Sequence, residues 1–246
     1  MKKILFVATM LAMVLSLSAQ RQMYVWQDGV KTTYEVANVD SITFSEVENP
    51  DPNTGNHEYV DLGLSVKWAT CNVGATKPEE YGDYFAWGET QPKDYYDWST
   101  YKHCNGSSST LTKYNTNSYY GAVDNKTQLE LSDDVARANW GGSWRMPTKA
   151  EQDELRENCT WTWTTQNGVN GYKVTSKKNG NSIFLPAAGY RNGSSFDNAG
   201  SDGLYWSSSL NTDSPRIAYF LYFYSGSVDW GNDGRCVGWT VRPVCQ

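Results

Sequence analysis

The residue types that most often carry out catalysis are scarce in this 246-residue sequence. It contains two histidines, and His57 lies in a polar stretch that also holds Pro and Asn. A Ser/His/Asp triad or a multi-histidine zinc site in the rest of the chain would therefore depend on His103. Cys104 follows His103, but neighbouring side chains on an extended chain point in opposite directions, which disfavours a Cys–His dyad. We expect both histidines to lie at the surface or in loops.

The sequence contains 27 Asp and Glu residues, so it has enough carboxylates for the catalytic pair that a glycosidase needs. Four acidic residues fall between 151 and 157 on one predicted helix, and a solvent-exposed face of that helix accounts for their presence. The segments DPNTGN (51–56) and WGNDG (230–234) contain oxygen ligands but lack the acidic spacing of a calcium loop, and turn formation accounts for both. The sequence also lacks GxGxxG and HExxH patterns. We predict no catalytic residues, no metal site and no cofactor.

Aromatic residues are the most unusual feature of the composition, with 11 Trp and 17 Tyr. Five rings fall within six consecutive positions, 219–224. On a strand, alternation would place Tyr219, Leu221 and Phe223 on one face and Phe220, Tyr222 and Tyr224 on the other. We expect the first face to pack on the core and the second to be exposed beside a Gly/Asn/Asp-rich loop, as in an antibody paratope. The alternative is a central strand that is buried on both faces.

Few helices and many short strands are predicted to hold these residues in place. Ser132 precedes DDVARANW as an N-cap, and that helix should end at Gly141-Gly142. Thr148 and Glu151 have the spacing of a capping box at the start of KAEQDELREN. The segments SIFLP, AYFLYFYSG and GWTVRPVC read as strands, the first ended by Pro186. The pattern predicts an α+β fold with two short helices, short antiparallel strands and long loops.

The first nineteen residues have the features of a secretory signal peptide. A basic start at Lys2 and Lys3 precedes an apolar run, Ile4 to Leu15, and small residues that end at Ala19. No cysteine near this site could take a lipid, and no later segment is long and apolar enough to span a membrane. The formal charge is −6, or −8 without the two lysines, and it disfavours nucleic-acid binding. We predict a secreted or cell-surface protein.

The remaining chain is predicted to form a small β unit and one larger domain. In residues 20–47, MYVW and KTTYEV flank Asp28-Gly29 as a hairpin, and SITF adds a short strand. Residues 48–58 read as a linker, and 59–246 as the main domain. Five cysteines allow two disulfides at most.

Several motifs of the main domain resemble the FISUMP family of exported gut-bacterial proteins, which has a C-type-lectin-like fold. They are GGSWRMPTKAEQDEL (141–155), SIFLPAAGYRNG (182–193), GLYWSSS (203–209), GWTVRPV (238–244) and the segment 59–90. The resemblance implies a C-type-lectin-like domain whose chain ends meet. On that basis we predict one disulfide between Cys71 and Cys245 and a second between Cys104 and Cys159.

The C-terminal stretch is also similar to target proteins of diversity-generating retroelements. In these proteins a constant framework alternates with open positions, whose codons are changed at adenine bases. The framework would include Tyr205, Trp206, Ala218, Tyr219, Leu221, Phe223, Ser225, Val228, Trp230, Arg235, Gly238 and Val241. The open positions would be Cys236, where the cysteine would have arisen by chance, and the predicted ligand-binding residues. Those residues are Arg216, Ile217, Phe220, Tyr222, Tyr224, Ser227, Asp229, Asn232, Asp233, Val237 and Trp239.

We therefore predict an exported binding protein without enzymatic activity, whose C-terminal strand and loop recognise an unknown surface protein or glycan. One alternative is an enzyme related to the formylglycine-generating oxidases, since Arg145 to Thr148 is similar to the Arg-Leu-Pro-Thr helix start of that enzyme. It would require a Cys236–Cys245 dithiol. The other alternative is a structural subunit of a surface fibre that assembles through residues 21–45.

Overall fold

The computed structural model describes residues 22–27, 30–35 and 57–246. The chain divides into two units, Met1–Val47 and Glu48–Gln246. In the first unit, β1 (Gln22–Gln27) pairs antiparallel with β2 (Val30–Glu35), which is the hairpin predicted around Asp28-Gly29. The predicted signal peptide (1–19), the SITF strand (41–44) and linker residues 48–56 lie outside the described residues.

The second unit combines a few helices with many short strands, and the predicted α+β class is confirmed. Its helices are α1 (Val135–Trp140) and α2 (Lys149–Asn158). The strands, in chain order, are β3 (Tyr59–Val60), β4 (Lys67–Ala69), β5 (Cys159–Gln166), β6 (Val169–Ser176), β7 (Ser182–Pro186), β8 (Tyr190–Asn192), β9 (Ser195–Asp197), β10 (Asp202–Leu210), β11 (Ile217–Tyr224), β12 (Ser227–Gly234) and β13 (Val244–Cys245). Short 3-10 turns occupy Trp98–Thr100, Ser118–Tyr120 and Leu131–Asp133. No helix in the described ranges is long and apolar enough to cross a membrane.

The strands of the second unit form small antiparallel sheets. Three sheets have three strands each, in the orders β10–β11–β12, β13–β4–β3 and β5–β6–β7, and β8 pairs with β9. Because β13 pairs with β4, the last residues of the chain return to the beginning of the unit. The strand β11 is the central strand of its sheet, and β12 is an edge strand.

Local capping explains where the two helices begin. At α2 the predicted capping box forms: the Thr148 hydroxyl accepts a hydrogen bond from the Glu151 N–H, and the Glu151 side chain accepts one from the Thr148 N–H. At α1 the predicted N-cap, Ser132, is corrected to Asp134, whose carboxylate accepts from the N–H groups of Ala136 and Arg137. The helix ends at Gly141, which has a φ of 68°, as predicted.

Two predicted segments near the C-terminus differ from the structure. The Gly/Asn/Asp-rich segment after β11, predicted as a loop, is the strand β12, which pairs with β11 along its whole length. The segment GWTVRPVC, predicted as a strand, is regular only at Val244–Cys245. Before it, single bridges tie Trp239 to Phe85 and Thr240 to Tyr205. These residues therefore make isolated bridges to other segments and do not extend a strand.

Two large clusters of buried side chains form the core, and β11 contributes to both. One contains Phe220, Trp206 and Trp239, and the other contains Leu221 and Phe223. The expectation that one face of β11 is exposed is therefore corrected for the middle of the strand. There the alternative, a central strand buried on both faces, describes the structure.

The predicted disulfides are also corrected, because the structure joins none of the five cysteines in a disulfide. The register of β13 on β4 places Cys245 opposite Lys67, four positions away from Cys71 along the chain. Cys104 and Cys159 belong to different core clusters. Burial raises the pKa of the Cys159 thiol to about 11. The core keeps this thiol protonated and away from a partner thiol.

An ionic cluster around the buried Asp133 lies beside the first helix. Asp133 accepts hydrogen bonds from Lys102 (2.8 Å), Lys113 (2.5 Å) and the Tyr114 hydroxyl (2.7 Å). Burial by itself would raise the pKa of Asp133, but these three bonds outweigh it and hold the pKa well below its usual value. The cluster fixes the long irregular segment between β4 and α1 against the helix.

Candidate functional site

The hairpin of β11 and β12 is built by the packing of an aromatic ring over a glycine. The two strands are connected by Ser225-Gly226, and Tyr224 lies opposite Ser227. Farther along, Phe220 lies opposite Gly231, and a Cβ atom at position 231 would come within 2.5 Å of the Phe220 ring. Gly231 therefore leaves the space that the ring occupies, and the contact stabilises β12 as a strand despite its loop-like composition.

A row of rings runs from the core along one face of this hairpin to the surface. The ring of Trp239 lies 4.0 Å from that of Phe220, which is 6.4 Å from that of Tyr222, which is 5.9 Å from that of Tyr224. The exposed fraction rises from 1% at Trp239 and 8% at Phe220 to 44% at Tyr224, with Tyr222 half-buried between them. The inner rings thus hold the outer two in fixed positions.

The outer end of the row opens into a groove of about 520 Å³. Its walls come from β5, β6, the loop that precedes β10, and the end of the hairpin. The lining residues are Trp163, Asn170, Gly200, Ser201, Asp202, Tyr222, Tyr224 and Ser225. This group of residues is called the aromatic groove below. Three rings and several polar side chains in one concave surface have the chemistry of a ligand site.

Hydrogen bonds fix the polar wall of the aromatic groove. Asn170 accepts from the Thr165 hydroxyl (2.9 Å) and donates to the carbonyl of Gly200 (3.1 Å). Asp202 accepts a bond of 2.8 Å from the Asn198 amide. On the other side, the Tyr172 hydroxyl donates to the backbone carbonyl of Tyr224 (3.1 Å), which joins the sheet of β6 to the end of β11. The groove is therefore held between two sheets and not by a single loop.

The hydroxyl groups of the groove are available to a ligand. In the part of the chain that the structure describes, the hydroxyls of Tyr222, Tyr224, Ser201 and Ser225 make no hydrogen bond to protein atoms. Burial, and then the charge of Asp202, raise the pKa of Tyr222 above its ordinary value of 10.0. The Tyr222 hydroxyl thus stays protonated and can donate as well as accept.

The edge strand β12 carries carboxylates that bind their own backbone. Asp229 accepts a hydrogen bond from the N–H of Trp230 (2.8 Å), and Asp233 accepts one from the N–H of Gly234 (2.6 Å). The Asp229 carboxylate also lies 3.5 Å from the guanidinium group of Arg156 in α2. We predicted that these carboxylates bind a ligand, but each already satisfies a backbone group.

Trp230, assigned to the framework, is 41% exposed on the opposite face of the hairpin from the aromatic groove. The Tyr219 ring contacts it edge to face at 5.5 Å, and the Lys149 ammonium lies 4.4 Å from its centroid. An ion pair of 2.6 Å with Asp153 holds that lysine in place. These contacts cover the start of α2, so packing accounts for this ring.

The structure divides the predicted ligand-binding residues into three groups. Two of them, Tyr222 and Tyr224, line the aromatic groove. Six are exposed or half-buried elsewhere on the hairpin: Arg216, Ile217, Ser227, Asp229, Asn232 and Asp233. Phe220, Val237 and Trp239 are buried, and the assignment of these three residues to a ligand surface is corrected; Cys236, predicted as an open position, is buried as well. Because the eight residues of β11 span roughly 24 Å, the exposed positions at its two ends cannot meet one small ligand.

Sequence reasoning missed the part of the groove that β5 and β6 supply. Trp163 and Asn170 flank a hairpin whose turn is Asn167-Gly168, and both turn residues have positive φ angles, 48° and 85°. Asn-Gly between alternating segments is a strong hairpin signal, so the hairpin was open to prediction. Its position beside Tyr222 depends on contacts between sheets and has no local signal.

The histidines and cysteines do not assemble a reactive centre in the described residues. His103 lies in a turn, as the prediction of a surface or loop position allowed, but its side chain is buried, with its Nε2 2.9 Å from the carbonyl oxygen of Gly88. His57 stacks on Trp140, with ring centroids 3.8 Å apart. Cys236 lies in the core cluster of Trp206, whereas Cys245 packs with Trp144. Burial raises the pKa of the Cys236 thiol to about 12, which opposes thiolate chemistry. Within the described ranges, no three His, Cys, Asp or Glu side chains group as metal ligands.

Comparison of the chain with protein-family models, with curated proteins and with solved structures gives no match.

Proposed function

We propose that this chain is an exported binding protein, without enzymatic activity, that recognises a glycan or a protein of a cell surface. The observation that carries the proposal is the aromatic groove, in which Trp163, Tyr222 and Tyr224 converge with polar side chains. Aromatic side chains offer large contact areas with few rotatable bonds, and hydroxyls and amides provide directional bonds. A surface that offers ring faces, hydroxyls and amides suits the recognition of a ligand.

The proposal includes a C-type-lectin-like fold for the main domain and membership of the FISUMP family. Two features of the structure support it. The last strand pairs with β4 near the start of the unit, so the two ends of the domain lie together. The Arg145–Thr148 motif lies at the start of α2, where Arg145 forms an ion pair with Glu151 of the capping box.

The proposed function is tested by substituting Tyr224, which is 44% exposed in the aromatic groove. We expect Tyr224→Ala to weaken binding about tenfold or more, because truncating an aromatic hot-spot residue costs about 2 kcal/mol and tenfold corresponds to about 1.4 kcal/mol. Binding would be measured by screening the purified protein against a glycan array and against outer-surface proteins of cells. The control is Tyr119→Ala, which removes a ring that is 78% exposed outside the groove. A ligand whose binding is unchanged in the Tyr224 variant would contradict the proposal.

The proposal further includes diversification of the exposed hairpin positions. Ring packing restricts the positions that can vary: the sites at Phe220, Cys236, Val237 and Trp239 are buried and contact core residues. Random substitution at such sites commonly costs several kcal/mol of stability. Exposed positions carry no such cost.

Sequencing the 3′ end of the gene across a population of source cells tests this part. We expect adenine-directed changes at the exposed and half-buried positions, such as Arg216, Tyr224 and Asn232, and constancy at the four buried positions. Synonymous sites in the same stretch serve as the background. A uniform sequence at all of these positions would show a fixed surface.

A further inference from the structure

We infer that the ligand of the aromatic groove is an uncharged glycan chain and that Asp202 excludes acidic sugars. This inference rests on the proposed function and specifies its ligand. It follows from the charges, rings and hydroxyls that line the groove.

The rings identify the apolar part of the ligand. The Tyr222 and Tyr224 ring centroids lie 5.9 Å apart with their planes inclined by 43°, and Trp163 lines the same groove. Pyranose rings carry a face of C–H groups that packs against an aromatic ring, whereas their edges carry hydroxyls. An open groove lined by three rings therefore suits a chain of sugar units more than a single apolar side chain of a protein partner, which needs a deep pocket.

The polar groups identify the edges of the ligand. The hydroxyls of Tyr222, Tyr224, Ser201 and Ser225 can each donate and accept, which is also the property of a sugar hydroxyl. Asp202 has one carboxylate oxygen held by Asn198 at 2.8 Å, and its other oxygen can accept from a ligand hydroxyl. Hydrogen bonds to a charged acceptor are stronger than those between neutral groups.

Charge then selects among glycans. Asp202 is the one charged side chain among the groove residues, and neither Lys nor Arg lines it. A carboxylate or sulfate on the ligand would lie near Asp202 without a compensating cation. Two like charges about 4 Å apart repel by about 1–4 kcal/mol between the dielectric of water and that of a protein surface, which is roughly a 5- to 1,000-fold loss of affinity. The acidic character of the whole chain acts in the same direction.

The test compares hexasaccharides of β-1,4-linked glucose, mannose and xylose with sulfated versions of the same chains. We expect the full-length protein to bind at least one neutral chain, at least tenfold more tightly than its sulfated version. Asp202→Asn, which keeps the side-chain shape, should reduce this discrimination at least threefold. Asp213→Asn removes one exposed charge that lies outside the groove, and it should leave the discrimination unchanged.

The outcomes distinguish failure of the inferred ligand class from failure of the proposed binding function. If sulfated chains bind as tightly as neutral chains or more tightly, and Trp163→Ala abolishes that binding, the groove is the binding site but its ligand is not an uncharged glycan. An equal effect of the Asp202 and Asp213 variants would overturn the role of Asp202 and assign the selectivity to overall charge. If no chain binds, or if Trp163→Ala binds as well as the unsubstituted protein, the inference fails. A protein ligand that depends on Tyr224 would in that case preserve the proposed function.

Discussion

Replacing Phe223 with alanine is expected to destabilise the second unit by about 3–5 kcal/mol. The side chain is fully buried, and its ring lies 5.3 Å from that of Tyr172 and 5.7 Å from that of Tyr205. It also covers Gly203, where a Cβ atom would overlap the ring. Because Gly203 has no side chain to move into the space, the cavity left by Phe223→Ala would stay open.

Thermal unfolding followed by tryptophan fluorescence measures this effect. At about 2–4 °C per kcal/mol for a unit of this size, the midpoint should fall by roughly 6–20 °C. Phe196→Ala is the matched control, since Phe196 is 44% exposed and contacts Tyr84 and Arg191 at the surface. It should cost less than about 1 kcal/mol. Equal losses in the two variants would contradict the assignment of Phe223 to the core.

Replacing Trp163 with alanine is expected to weaken ligand binding by about 2 kcal/mol or more, roughly 30-fold. Trp163 lines the aromatic groove from β5, and tryptophan is enriched at interface hot spots. The measurement is the dissociation constant for any ligand that binds the unsubstituted protein, by calorimetry or surface immobilisation.

Trp161 provides a control on the same strand. Both tryptophans pack edge to face on Tyr172, at 5.2 Å for Trp163 and 5.6 Å for Trp161, but only Trp163 lines the groove. Both alanine variants should lose stability, and the Trp163 variant alone should lose affinity. Similar affinity losses in the two would indicate an indirect effect through Tyr172. Unchanged binding in Trp163→Ala would restrict the site to the C-terminal hairpin.

Local signals in the sequence predicted the elements that local interactions determine. The second helix could be placed to the residue because the Thr148–Glu151 capping box is formed by neighbours in the chain. The short strand ended by Pro186 was likewise readable from its apolar run. The strand β12 could not be read in this way, because its Gly, Asn and Asp residues favour turns. Its strand conformation depends on the contact of Phe220 with Gly231, which is made only when the hairpin forms.

Two of the eight residues that line the candidate site were predicted as ligand-binding. Tyr222 and Tyr224 were identified from alternation in β11, and both line the groove. Alternation could not show that Phe220, on the same face, is buried, because Trp206 and Trp239 reach it from other elements. Trp163 lies 59 positions before Tyr222, and no periodicity connects them. A groove that is lined by residues of two sheets is therefore seen only once the sheets are assembled.

The carboxylates of β12 have a consequence for how this protein meets other chains. An edge strand with free N–H groups can take up a strand from a neighbouring molecule and begin aggregation. Asp229 and Asp233 occupy the N–H groups of Trp230 and Gly234, and their charges repel another edge of the same kind. Two backbone N–H groups of this edge strand are thereby occupied, which disfavours the addition of a strand from a neighbouring molecule.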